Sequence, residues 1–476
     1  MKLKIIVLLS LIASITYGQN SPKVLKMSLD QVIQKARGES PEVILSKARL
    51  DNSKWQLKLF NTRLKPQLNL NAKLPTLTRN IIQDNITQEF VSVSSMVTGV
   101  DLEYSQEIAK TGGRVFASTG LSRNDDFGNV FGDPVSYLSN PITVGFNQPL
   151  FTFNDWKWQQ KIEPLRYEEA ESRFTEEQET AASRAANLFF DVYINQIRLK
   201  TALVNKANAD TLLRLTRGRY SVGKIAENEL LQMELSNKRS ESTIASSRLD
   251  LQTSTEQLRN FLGIKEAVTF ELEPPADIPE IIIDTEKALS EAVKNRWETI
   301  SYERRLLESE QDLVKAKKEQ GINGNVFASF GFSQTGPTLP EAYANPTNAQ
   351  QVVLGIQIPI LDGGRAQTAI KMAESNLKVA KLQVEQDRIN FEQNIILKVN
   401  QFALLRDQAI LAREGNEIAL KRYDITQKRF TIGKIDVTDL NLAETELDNS
   451  LTSYMQALKA FWAGYYELRR LTLYDF

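Results

Sequence analysis

Arg219-Tyr220-Ser221-Val222-Gly223-Lys224-Ile225 returns as Arg429-Phe430-Thr431-Ile432-Gly433-Lys434-Ile435, an offset of 210 residues. The same offset relates Gly145-Phe146-Asn147-Gln148-Pro149-Leu150 to Gly355-Ile356-Gln357-Ile358-Pro359-Ile360, so the intervening segments are equally long. Self-similarity of this kind means one supersecondary unit used twice. Nearer the start of each copy, the stretch from Ala36 to Val43 resembles Val293 to Ile300 at an offset of 257. The 47 surplus residues therefore sit in the first copy, between about residues 66 and 145.

Between the matched motifs, residues 155–217 hold one breaker, Pro164, with Gly218 just beyond, and residues 365–429 hold only Gly415. A helix of roughly 65 residues runs about 100 Å. Helices of that length belong to coiled coils or helical tubes. Leu404, Leu411, Ile418, Ile425 and Ile432 recur every seven residues, and Leu382, Ile389, Ile396, Ala403 and Ile410 form an earlier series displaced by one position. Such a shifted heptad predicts packed helices whose seam drifts around the axis. A soluble coiled-coil rod explains the helices equally well.

Strands separate the two cases. Leu68, Leu70, Ala72 and Leu74 alternate with Gln67, Asn69, Asn71 and Lys73; Ile142, Val144 and Phe146 alternate with Thr143, Gly145 and Asn147. In the second copy Val326, Ala328, Phe330 and Phe332, then Val352, Leu354, Ile356 and Ile358, repeat the pattern. A period of two over about ten residues fits strands with one face to lipid and one to a wet lumen. It also fits a half-buried sheet. Met96 to Leu121, broken by Thr111-Gly112-Gly113-Arg114, reads as an additional hairpin (91–121) that accounts for most of the surplus. The Gly/Pro/Asn/Asp clusters at 122–140 and 333–349 are expected to be loops.

The first residues carry an address: Lys2 and Lys4, an apolar run from Ile5 to Ile15, then small residues ending at Gly18. This order reads as a secretory signal peptide over 1–18. After residue 18 no apolar run reaches the ~18 residues a membrane-spanning helix needs. Lys plus Arg number 58 against 59 Asp plus Glu, a balance that offers no general attraction for nucleic acid. With neither Cys nor His in the chain, soft-metal ligands, a thiol nucleophile and a near-neutral titrating group are all missing. No catalytic residue, cofactor or metal is therefore expected. Asp362-Gly363-Gly364-Arg365 lacks the Lys-Ser/Thr of a phosphate loop and reads as a strand-to-helix junction. Glu176, Glu177 and Glu179 read as a solvated helix face.

A twofold helix–strand–strand–helix repeat behind a signal peptide resembles the TolC-like outer-membrane efflux family, over about residues 25–472. The specific markers are aromatic-x-[VI]-Gly at Tyr220 to Gly223 and again at Phe430 to Gly433, each before a helix start, together with DLQTSTEQLRNFLG at Asp250 to Gly263. The resemblance implies a mainly α fold with a transmembrane β-barrel portion. Internally duplicated helical hairpins would form a periplasmic α-barrel, and a homotrimer would share one β-barrel. One chain's roughly four to six strands cannot close alone without unpaired edges in lipid, which agrees with closure around an axis. The expected division is a signal peptide (1–18), a first repeat (19–263: helix 28–64, β region 66–151, helices 155–217 and 226–262), a connector (264–283) and a second repeat (284–476: helix 285–320, β region 325–361, helices 365–429 and 436–472).

The resemblance further implies a passive export duct of a tripartite efflux or type I secretion system, embedded in the outer membrane bilayer. It would work with a periplasmic adaptor and, through it, an inner-membrane pump. Tyr220, Val222, Gly223, Phe430, Ile432 and Gly433 would form the periplasmic tip where the adaptor docks. An acidic family position just past the second turn is matched by Asp439, whereas the next acidic position is Leu442 here. Three copies of Asp439 would form a carboxylate ring at the entrance, with Glu229 its weaker equivalent in the first turn. The alternative for Asp439 is a charge that favours its helix N-terminus. The alternative for the whole chain is a soluble periplasmic coiled-coil adaptor or scaffold.

Overall fold

The computed structural model describes residues 23–83, 88–127, 134–275 and 277–476, so the expected leader at 1–18 lies outside the described residues. In chain order the elements are β1 (Lys23–Ser28), α1 (Leu29–Glu39), α2 (Pro41–Arg63), β2 (Gln67–Gln83), β3 (Phe90–Ile108), β4 (Gly113–Asp126), β5 (Val135–Leu150), α3 (Asp155–Ser221), α4 (Glu227–Phe261), β6 (Val268–Glu273), α5 (Thr285–Asn295), α6 (Trp297–Glu319), β7 (Asn323–Gly336), α7 (Leu339–Ala344), β8 (Thr347–Gln357), α8 (Arg365–Thr431) and α9 (Val437–Thr472). The described residues form two compact units: those up to Ala48 with Ser172–Arg296 and Phe391–Phe476, and those of Arg49–Glu171 with Trp297–Asn390. No helix among the described residues is long and apolar enough to cross a membrane.

Each of the two long breaker-poor stretches is one helix of 67 residues. The single helices expected over 28–64 and 285–320 are each two helices instead, and the breaks fall at equivalent places for different reasons. Pro41 opens α2 and its ring prevents α1 from continuing, so Ser40 turns extended at ψ 144°. The second copy has no proline at its break, where Trp297 follows Arg296. There Arg296 is extended at ψ 141°, 4% exposed, and its guanidinium reaches Glu176 at 2.9 Å and the Arg470 carbonyl at 2.9 Å. A buried ion pair takes the place of a steric block.

That pair also corrects the reading of Glu176, Glu177 and Glu179 as a solvated face. Glu176 bonds Arg296 and Arg470, and Glu179 bonds Arg37 at 2.5 Å, both with side chains 14% exposed. Glu177 alone is exposed. The surrounding core of this unit joins Phe189 and Phe190 of α3, Val32 and Ala36 of α1, and Phe461, Tyr465 and Tyr466 of α9. A two-stranded parallel sheet lies against it, β1 pairing with β6 from Lys23↔Val268 to Ser28↔Glu273. The segment expected to be a plain connector therefore contains a strand.

The second unit holds a six-stranded antiparallel sheet in the order β2-β3-β4-β5-β7-β8. The stretches expected to be loops are partly structured: β4 runs to Asp126, β5 starts at Val135, and α7 forms within 333–349. The pairs Leu70↔Leu102, Val144↔Phe330 and Val326↔Leu354 put apolar side chains on one face, and Asn71↔Asp101, Thr143↔Gly331 and Ser329↔Gln351 put small or polar ones on the other. The period of two is thus one two-faced sheet. Its outermost strands, β2 and β8, are exposed along their whole length.

Gly145 and Gly355 share a repeat position but not an environment. A Cβ at Gly145 would lie 2.6 Å from Phe116 Cζ and 2.6 Å from the Ala328 carbonyl, whereas at Gly355 nothing lies within 4 Å because β8 is an edge. Gly145→Ala is expected to lower stability by about 1–3 kcal/mol through overpacking, and Gly355→Ala to change it little. Thermal unfolding in detergent checks this; equal effects at both positions would contradict it.

Candidate entrance site at the paired helix turns

The two quoted motifs are the turns α3–α4 and α8–α9, both in the first unit. Each closes its long helix in the same way. Gly223 N donates to Tyr220 O at 2.9 Å and Lys224 N to Arg219 O at 2.9 Å; Gly433 N donates to Phe430 O at 2.9 Å and Lys434 N to Arg429 O at 3.0 Å. This doubled bonding needs a left-handed residue just past the helix. Gly223 at φ +71° and Gly433 at φ +76° supply it without the strain a Cβ would add.

The helices that leave the turns begin differently. Asp436 caps α9, its carboxylate accepting from Asp439 N at 2.9 Å, whereas Ala226 offers α4 no side-chain cap. Asp439 therefore occupies the third position of α9, exposed, its amide held by the cap. Glu229 is half-buried and lines a cavity of about 600 Å³ between the turns, together with Thr216, Arg219, Phe430 and Asp436. Asp439 does not line that cavity, so the structure does not bring the two candidate gate carboxylates into one pocket.

The expected tip residues also divide. Tyr220, Val222 and Ile432 are 42%, 66% and 65% exposed. Phe430 is only 3% exposed and packs with Leu212, Met233, Tyr423, Val437 and Leu440. Its cover is Arg219, whose guanidinium lies 5.3 Å from the ring and donates to the carbonyls of Phe430 at 3.2 Å and Thr431 at 3.1 Å. Arg219 thus ties the end of α3 to the carbonyl end of α8, where a cation is favoured by the helix dipole. Arg219 stands first in the quoted motif, but only the fold reveals that it reaches across to the other copy.

Further along α9 from the turn, Glu444 and Asp448 stand one helical turn apart beside a cavity of about 360 Å³ that Asn205, Arg239 and Asn441 also line. Asn205 donates to Asp448 at 3.3 Å. Burial, and then the charge of Asp448, push Glu444 up to about 7. Tyr423 is pushed up to about 12, mainly by burial and then by Glu444. The i, i+4 carboxylates were visible in the sequence, but nothing local marks Glu444 as half-buried and Asp448 as the exposed member of the pair.

The sequence profile of the outer membrane efflux protein family matches residues 111–264 and 326–472, more than half of the chain and both copies of the repeat. No curated protein matches significantly by sequence. Among solved structures, the chain is similar to the CmeC outer membrane channel of Campylobacter jejuni, with 13% identity, TM-score 0.69, and coverage of 93% of this chain and 85% of that one. It is similar to the outer-membrane channel OprN with 16% identity and TM-score 0.69, covering 93% and 89%. The MtrE outer membrane channel of Neisseria gonorrhoeae gives 12% identity and TM-score 0.62, covering 93% and 88%. At such identities these likenesses concern the fold, which is that of channel proteins with helical and β-barrel portions. The profile carries the relationship itself: this chain belongs to the outer membrane efflux protein family.

Proposed function

We propose that three copies of the chain close into one export duct through the outer membrane and periplasm, each copy's β8 pairing with the next copy's β2. The observation that carries this reading is a sheet with an apolar face and two bare edges. In hydrocarbon, unpaired backbone groups on β2 and β8 are not tolerated, and closure removes them. The exposed heptads of α8 support the same arrangement, since Leu404, Leu411, Ile418 and Ile425 are 56%, 65%, 67% and 58% exposed in one chain. The family match weighs against a soluble coiled-coil adaptor or scaffold. The two repeats, 19–263 and 284–476, would each supply one helical hairpin to the duct.

Tyr220, Val222 and Ile432, held out by Gly223 and Gly433, would receive a periplasmic adaptor, with Phe430 as packing beneath them. An inner-membrane pump would supply energy through that adaptor. Asp439, repeated three times, would ring the entrance, with Glu229 set back from it, and the Arg219 clamp would hold the two turns together. In planar bilayers, Arg219→Ala is expected to raise single-channel conductance at least about twofold by releasing the turns, a rigid-element motion. Asp439→Ala is expected to weaken block by added divalent cations. Unchanged conductance and unchanged block would remove both residues from the entrance, and extraction of the wild-type protein by salt without detergent would end the channel reading.

A further inference from the structure

Nearly all charge on the sheet belongs to one insertion. β2, β5, β7 and β8 carry only Lys73 and Arg79 among them. The β3–β4 hairpin, which fills most of the 47-residue surplus of the first copy, carries far more. Asp101, Glu103 and Glu107 lie on β3; Arg114, Arg123, Asp125 and Asp126 lie on β4.

Register places most of these on the face opposite the apolar one. Leu70↔Leu102 and Ala72↔Val100 belong to the apolar face, so the intervening Asn71↔Asp101 and Asn69↔Glu103 belong to the other, and Asn71 donates to Asp101 at 2.8 Å. Glu107↔Arg114 and Ser95↔Asp126 follow on that same polar face. Arg114 is engaged by Glu103 and Ser105 and lies 3.9 Å from Glu107, one cation against the four carboxylates of Asp101, Glu103, Glu107 and Asp126. Without the hairpin, the only charge on this face among the described strand residues would be Lys73.

The insertion is compatible with closure because it adds an even number of strands. β2 and β3 are antiparallel, and so are β4 and β5; with the hairpin excised, β2 and β5 would still meet antiparallel. It is anchored by Phe116, which stacks on Phe327 at 6.0 Å across the space that Gly145 leaves open. Three copies of six strands give eighteen, against twelve for two strands per repeat. With strands about 4.8 Å apart and tilted about 40°, the barrel diameter is roughly 36 Å rather than roughly 24 Å. The free lumen is then roughly 26 Å rather than roughly 14 Å once about 10 Å of side chains is subtracted.

We infer that the β3–β4 hairpin sets both the width and the charge of the exit, admitting bulky neutral or cationic cargo and disfavouring polyanions. This rests on the closed-barrel reading above. The test uses the full chain in planar bilayers. Polyethylene glycols of graded size are added on the loop side, and the reversal potential is measured in a potassium chloride gradient. Asp101→Asn with Glu107→Gln, which leaves the Glu103–Arg114 pair in place, is expected to lower the cation-to-anion permeability ratio about threefold. Deletion of residues 90–126 is expected to exclude polymers wider than about 15 Å that the wild type admits. An unchanged ratio in the double variant, or the same polymer cut-off after deletion, overturns the inference while the wild type still conducts. A wild type that forms no pore overturns it together with the channel reading. If the deleted chain does not insert, the point variant decides alone.

Discussion

Leu411→Glu combined with Ile418→Glu is expected to give a chain that folds yet does not assemble, running as a monomer by light scattering and conducting nothing. The two side chains are 65% and 67% exposed, so their replacement leaves the chain's own core intact. Within one chain α8 buries Ile395, Val399, Phe402, Ala409, Tyr423 and Phe430 instead. The heptad series is thus a second seam, with no partner among the described residues. In an assembly each buried Leu or Ile contributes about 1.5–3 kcal/mol. Replacing two per chain with carboxylates both removes that gain and places like charges in an apolar contact. A double variant that assembles and conducts like the wild type would assign the seam to some other role.

The second large effect is a dependence on pH from the Glu444 carboxyl. Its folded value of about 7 lies above the ordinary 4.5, so the folded chain holds this proton more tightly than the unfolded chain. The stability it contributes is complete below about pH 4.5 and is lost progressively as the pH rises to about 7, a change of about 3 kcal/mol at most. The groups around it do not offset this. Asp448 is a like charge that is itself raised, Tyr423 stays protonated, and Arg239 only lines the same cavity. Melting temperature measured from pH 5 to pH 8 is expected to fall, and Glu444→Gln is expected to flatten that fall. Because Glu444 lies on the helix leaving the second turn, the Arg219→Ala conductance gain is expected to grow over the same range. A wild-type melting temperature that stays flat across this window, or a fall that Glu444→Gln leaves unchanged, would show that Glu444 is not held above its ordinary value.

Local chemistry alone located the helix turns, the two long helices and the alternating strands. A glycine four residues past an arginine needs only its own backbone to close a helix, and strand alternation shows wherever one sheet face differs from the other. Duplication was equally legible, because equal spacing survives divergence. What depended on distant parts of the chain was out of reach. β1 and β6 are six-residue strands whose pairing joins residues 245 apart. Tyr220 and Phe430 occupy one motif position, yet Arg219 covers only the second. The heptads predicted a packed seam, and folding placed that seam outward. The same separation applies to Glu444, whose proton affinity depends on helices α3, α4 and α8 closing around it. Residue type sets which backbone shapes are available; burial, which decides charge and contact, is set only when remote segments meet.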